Sequence, residues 1–153
     1  MLTPPSTRTS QLAKDVGWLD DFARLRDELL SRGLRDDIAV AQSFLDQAEA
    51  TRSRRENCGL PEAKPACRVQ IRYIYQVARG APKEQVFAQT LLGFEVAAAD
   101  KRVVAINYVQ AEDGLASMTN YESQMMSIGF LRDFYPTVHT TLHACLLYTS
   151  RCV

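Results

Sequence analysis

The sequence predicts an α/β fold with a parallel sheet in its second half. Three apolar segments there have strand character, and they begin near Val69, Val103 and Val138, which are 34 and 35 residues apart. That spacing leaves room for a helical crossover between parallel strands. The segment 102–109 is a near-continuous apolar run, which is typical of a strand buried on both faces. A (β/α)8 barrel and a doubly wound sheet both satisfy these observations.

Two helices are predicted before the sheet. The first covers residues 17–34 and ends near Gly33. Its apolar residues recur at steps of three and four: Trp18, Phe22, Leu25 and Leu29. The second covers 36–57, where Asp36 or Asp37 can cap the first turn and a basic tail suits the helix dipole. The opening "MLTPP" is predicted to be a strand end followed by a proline turn.

Four cysteines are present, and none forms a C-x-x-C pair, which disfavours a zinc ribbon or a thioredoxin-type site. Cys58 and Cys67 flank the loop "CGLPEAKPAC" between the helices and the sheet. They could close a short disulfide in an oxidising compartment, or remain two free loop thiols, because spacing alone does not determine loop geometry.

The sheet half alternates strands and helices. Strands are predicted over 68–79, 102–109 and 137–144, and helices over 82–100 and 118–136. Pro82 suits the first turn of its helix. The helix over 118–136 is predicted to end at Pro136. It is predicted to bury four side chains: Tyr121, Met125, Ile128 and Phe134.

Composition excludes two classes of partner. The chain has 153 residues, with 18 basic and 18 acidic side chains, so its net charge of zero indicates neither nucleic acid nor an anionic membrane. No apolar run approaches the roughly 20 residues that span a bilayer. The opening ten residues have neither a basic n-region nor a long apolar h-region, so we do not expect them to be a signal peptide. One domain of ordinary size is expected.

Polar side chains follow all three strands, where parallel α/β folds gather their functional groups. They are Arg79 after the first strand, Gln110, Glu112 and Asp113 after the second, and His143 after the third. Taken singly, each has a structural alternative: Arg79 could be a solvated loop cation, the acidic pair a turn before Gly114, and the histidine a strand-end residue. A Gly-rich phosphate loop and a G-x-S-x-G elbow are both absent from the sequence.

Two of these segments resemble a known family. "RVVAINYVQAEDG" followed by "VHTTLHA" is similar to the adenosine deaminases of the metal-dependent amidohydrolase superfamily, most of all to the secreted, growth-factor-type subgroup. The resemblance covers residues 1–144. It implies a partial (β/α)8 TIM barrel, about strands 2–5, with an N-terminal helical insertion: a helical part at 18–57 and a βαβαβ part at 68–144.

The resemblance also implies a chemistry. Members of the family hold one zinc ion, whose bound water is activated to attack adenosine or a related purine nucleoside, giving inosine and ammonia. His143 matches a zinc ligand. Glu112 and Gln110 match positions near the substrate, while Arg79 matches an arginine with a structural role. The family's general acid, a glutamate, is expected at the position of Leu146.

The sequence departs from the family pattern at several positions. Asn107 replaces an aspartate, Gln110 replaces a glycine, and Cys145 and Leu146 replace the Gly-Glu pair that follows His-Ala. The H-x-H pair of the family is absent, since the only histidines are His139 and His143. We therefore expect an inactive fragment of a longer zinc hydrolase, with 145–153 as a non-native tail that resembles translated sequencing adaptor.

Two alternatives remain open. The chain could belong to a deaminase-like protein that binds nucleosides or a receptor without catalysis, or to another metal-dependent amidohydrolase. The subgroup resemblance and the Cys58–Cys67 pair favour a periplasmic or secreted parent protein.

Overall fold

A three-stranded parallel sheet forms the second half of the chain, preceded by three helices. The structure, a computed structural model, describes residues 7–111 and 113–142. In chain order the elements are α1 (Thr7–Val16), α2 (Phe22–Ser31), α3 (Asp36–Arg55), a 3-10 turn (Pro65–Arg68), β1 (Tyr73–Ala78), α4 (Lys83–Ala99), β2 (Val103–Val109), α5 (Leu115–Thr119), α6 (Tyr121–Phe134) and β3 (His139–Leu142).

The predicted α/β class with a parallel sheet is confirmed. The strand order is β1-β2-β3, and both pairs are parallel. Helix α4 connects β1 to β2, and α5 and α6 connect β2 to β3. Each crossover is helical, as parallel neighbours require, because a tight turn cannot return the chain to the start of the next strand.

The pairing of β1 with β2 is irregular at the start of β2. Tyr73 pairs with Val103, whereas the next residue, Ile74, pairs with Ala105, so Val104 is an extra residue. Val104 is 39% exposed, while Val103 and Ile106 are buried. On the face opposite α4, Ala105 is buried and Asn107 and Val109 are half-buried, so the predicted burial on both faces is confirmed only in part. One face packs on the helices and the other is partly open.

Helix α4 is the centre of the core. Every residue from Val86 to Val96 is buried, which is the pattern of a helix covered on all sides. It packs on β1 and β2 through Gly93, where an added Cβ would lie 2.8 Å from the ring of Tyr75. Helices α1, α3 and α6 contact other parts of its surface.

The N-terminal helices differ in extent from the prediction. Helix α2 starts at Phe22, not residue 17, because the Asp21 carboxylate accepts hydrogen bonds from the backbone N–H groups of Ala23 (3.0 Å) and Arg24 (3.1 Å). Helix α1 was not predicted, and its sequence is mostly polar. The strand end predicted for "MLTPP" lies outside the described residues.

The predicted cap of α3 is wrong. Arg35 occupies the N-cap position without a side-chain hydrogen bond, and Asp36 and Asp37 lie inside the first turn. Both carboxylates bind Arg8 of α1 instead, at 2.9 and 3.2 Å, and the hydroxyl of Thr9 also donates to Asp37. The acidic first turn therefore attaches α1 to α3.

Cys58 and Cys67 form a disulfide, with their Cα atoms 5.5 Å apart. The bridge holds the 3-10 turn against the end of α3, where Arg52 also donates to the carbonyl of Ala66 at 3.1 Å. This attachment shortens the first strand, which was predicted from residue 68 and begins at Tyr73.

The last predicted helix, 118–136, is two helices that meet at Asn120. The predicted burial is wrong for Tyr121 and Phe134, which are 51% and 50% exposed. Two polar residues of α6, Gln124 and Ser127, are buried together with the apolar Ile128 and Leu131. The final strand, predicted over 137–144, is described only as His139–Leu142. Among the described helices, none combines the length and apolar character needed to cross a membrane.

Candidate functional site

The carboxyl ends of the three strands lie at the same edge of the sheet, because the strands are parallel neighbours. Arg79 directly follows β1 and Gln110 directly follows β2. The structure therefore brings together two of the predicted residues. Three others, Glu112, His143 and Leu146, lie outside the described part of the chain.

Arg79 is buried, with only 5% of its surface exposed, so the interpretation of a solvated loop cation is wrong. Its Nη2 lies 3.4 Å from the carbonyl oxygen of Ser117, and its guanidinium carbon lies 5.8 Å from the ring centre of Tyr121. Its buried Nε has no hydrogen-bond partner within the described ranges, and no described carboxylate forms an ion pair with it. A buried cation in this state is energetically expensive, and such groups are concentrated at functional sites.

The backbone around Arg79 is held from two directions. Its N–H donates to the carbonyl of Val109 at 3.1 Å, which extends the parallel ladder by one residue. Its carbonyl accepts from the side-chain amide of Gln124 at 2.9 Å, in the buried face of α6. The sequence analysis did not identify Gln124 as a buried residue, because a glutamine in a helical pattern is normally assigned to the exposed face.

Gln110 has an unusual backbone. Its φ angle is +109°, in a region that side chains other than glycine rarely occupy, and such a conformation costs about 1–3 kcal/mol. Its side-chain oxygen accepts a hydrogen bond from the backbone N–H of Gly80 at 2.5 Å. Sequence reasoning singled out Gln110 but missed Gly80, whose only signal was its place directly after a strand-end arginine.

The segment after Gln110 contains a turn. The N–H of Gly114 donates to the carbonyl of Ala111 at 3.2 Å, and Asp113 is exposed. This agrees with the structural alternative for the acidic pair as far as Asp113 is concerned.

A polar row crosses the sheet on the face opposite α4. The strand register aligns Gln76, Asn107 and Thr141 side by side. Side chains alternate along a strand, and the adjacent Tyr75 and Ile106 contact α4, so this row belongs to the other face. Gln76 and Asn107 are half-buried and Thr141 is exposed. The face opposite α4 therefore carries hydrogen-bonding side chains, and Asn107 lies three residues before Gln110 at the carboxyl edge of the sheet.

Tyr108 lies beneath this edge, on the helix side. Burial raises the pKa of its hydroxyl well above the usual range, whereas a 2.5 Å hydrogen bond with Thr90 and the charge of Arg79 lower it. Burial dominates, so Tyr108 is a neutral phenol at physiological pH. We assign it a structural role under the site.

The two histidines occupy opposite ends of the last strand in the sequence. His139 begins β3 and is exposed, beside an open cleft of about 320 Å³ that is also lined by Lys101 and Val104. His143 follows the last described residue of that strand. Within residues 7–111 and 113–142, no three His, Cys, Asp or Glu side chains come together as a metal site would require.

No protein-family model, no curated protein and no solved structure matches this chain.

Proposed function

We propose that this chain carries part of the active site of a zinc-dependent adenosine deaminase, which hydrolyses adenosine or a related purine nucleoside to inosine and ammonia. One observation carries the proposal. The strand that precedes "QAED" in the sequence and the strand that leads to "LHA" are adjacent and parallel, as β2 and β3. The two strands within the segments on which the family resemblance rests, β2 and β3, therefore have their carboxyl ends at one edge of one sheet.

The proposed architecture is a partial (β/α)8 barrel with an N-terminal helical insertion. All-parallel sheets are found almost only where both faces are covered, and here α4 covers one face. The other face exposes 41% of Ile74 next to the polar row. In a barrel, that face would line the interior, and neighbouring strands would cover it.

The roles proposed for single residues follow the resemblance. His143 would be one zinc ligand, and Glu112 and Gln110 would lie beside the purine nucleoside. The described residues do not form a zinc site by themselves, so the remaining ligands would come from other parts of the protein. Leu146 stands at the position expected for the general acid and cannot donate a proton, so we expect the chain alone to be inactive.

The disulfide supports the proposed periplasmic or secreted location. Disulfides persist in oxidising compartments and are rare where thiols are kept reduced. The Cys58–Cys67 bridge closes a loop that is also held by a Lys64–Glu56 ion pair of 3.4 Å.

A second candidate is binding of a nucleoside without catalysis. Gln110 favours it, because its side chain occupies a strand end where the resembling family has glycine, and because the chain maintains a strained backbone there. Strain of this kind is retained at sites where the side chain has a role.

The test is the activity of the protein encoded by the complete reading frame, determined by long-read sequencing of the source DNA. Expressed with one equivalent of zinc, it should convert adenosine to inosine. His143→Ala should lose the zinc and at least about 100-fold in activity, as expected when a metal ligand is removed. His139→Ala is the matched control, since His139 lies at the start of the same strand, and it should retain both.

Two results would contradict the proposal. Full zinc content and activity in His143→Ala would exclude this histidine as a ligand. A complete protein that binds adenosine but produces no inosine would favour the second candidate instead.

A further inference from the structure

The amide group of Gln110 has a defined orientation. A backbone N–H can donate only to an acceptor, so the atom 2.5 Å from the Gly80 nitrogen must be the carbonyl oxygen of the amide. The side-chain NH2 group of Gln110 is then on the opposite branch. Gln110 is exposed, and no described protein group accepts a hydrogen bond from that NH2 group.

Gly80 is adapted to this contact. A Cβ atom at residue 80 would lie 2.5 Å from the Gln110 oxygen, closer than a methyl group and an oxygen can approach. The absence of a side chain at Gly80 therefore allows the amide to reach the backbone. Any larger residue would displace the Gln110 side chain.

The partner of Gln110 is rigidly supported. Gly80 follows Arg79, whose backbone is bonded to Val109 at 3.1 Å and to Gln124 at 2.9 Å, and whose side chain is buried. The N–H of Gly80 is thus presented from a fixed strand end. A flexible surface glutamine would lose side-chain entropy on binding a ligand, whereas much of that loss has already occurred for Gln110.

We propose that Gln110 is a ligand-binding residue whose NH2 group donates to a hydrogen-bond acceptor of a small molecule at the carboxyl edge of the sheet, and that Gly80 is its positioning residue. The inference rests on the proposed function for the identity of the ligand, a purine nucleoside, whose ring nitrogens and hydroxyls are acceptors. It explains why the chain retains a φ of +109° at a residue that is not glycine.

Gln110→Glu separates the two functions of the side chain, which are to accept a hydrogen bond from Gly80 and to donate one to a ligand. The carboxylate still accepts from the Gly80 N–H, so the local structure is kept, but it has no N–H to donate. The same change at Gln47, an exposed residue of α3, is the matched control. Gly80→Ala tests positioning, because it displaces the amide without altering its chemistry.

The measurement is a ¹⁵N NMR titration of the chain with adenosine and, separately, with inorganic phosphate. We expect adenosine to shift the Gln110 NH2 signals, and Gln110→Glu to weaken binding by about tenfold, the size of one hydrogen bond. Gln47→Glu should bind like the original chain. In Gly80→Ala the N–H signal of residue 80 should lose the chemical shift of a hydrogen-bonded amide, because the Gln110 oxygen is displaced, and binding should weaken to a similar degree.

Each other outcome is decisive. If adenosine binds at the strand ends equally well in Gln110→Glu, the inference is wrong and the proposed function stands. If the NH2 signals respond to phosphate alone, Gln110 is a donor site as inferred, and the purine nucleoside is the wrong ligand. If neither probe shifts these signals, Gln110 is not a ligand-binding residue.

Discussion

Replacing Gly93 by alanine tests how closely α4 packs on the sheet. The new methyl group would lie 2.8 Å from Tyr75 Cδ1 and 3.0 Å from Ile106 Cγ2. Both neighbours are buried, with 4% and 0% of their surfaces exposed, so neither has space to move. Alanine adds about 1 kcal/mol of helix propensity, whereas overpacking a filled core costs about 1–3 kcal/mol. We expect Gly93→Ala to lower the free energy of unfolding by about 1 kcal/mol.

Gly129 provides the matched control inside α6. A Cβ atom there meets nothing within 4 Å, so only the propensity gain of about 1 kcal/mol remains. Urea unfolding followed by circular dichroism should thus give effects of opposite sign, separated by about 2 kcal/mol. If Gly93→Ala stabilises the chain as much as Gly129→Ala, α4 does not approach the sheet as closely as described.

The remaining predictions concern the disulfide and one tyrosine. Replacing Cys58 and Cys67 by serine should lower the free energy of unfolding by about 2–3 kcal/mol, as expected for a bridge across so short a loop, and an unchanged urea midpoint would contradict this. Burial, followed by a 2.6 Å hydrogen bond to Glu95, raises the pKa of Tyr135 to about 12 from 10.0. The unfolded tyrosine therefore ionises first, and the stability that Tyr135 contributes is lost as the pH rises from 10 to 12. Tyr135→Phe should reduce this decline in urea unfolding across that range, and an identical decline would exclude Tyr135 as a source.

The sheet was predictable because its signals are local and repeated. The apolar run of β2 reflects side chains that pack on α4, and the even spacing of the strands reflects one helical crossover between each pair. The structure confirms three parallel strands with helical crossovers. The start of β1 was not predictable, because a disulfide and Arg52 hold the preceding residues against α3. Such constraints come from distant parts of the chain.

The candidate site was predicted only in outline. Residue type and strand-end position identified Arg79 and Gln110, but the burial of Arg79 depends on α5 and α6 crossing above it. The contact between Gly80 and Gln110 joins residues thirty positions apart. The sequence contains no pattern for a backbone φ angle, so the strain at Gln110 could be found only from the structure.

The packing of the N-terminal helices on α4 imposes an order on folding during synthesis. Helix α1 ends at Val16, yet its contacts with α4 cannot form until the chain has been made to Ala99. At ribosomal rates of about 5–20 residues per second, that interval is roughly 4–17 s. Leu25 and Leu29, which are buried in the finished protein, would remain available to chaperones for that time. The translation speed of the codons between α3 and α4 should thus influence the yield of folded chain.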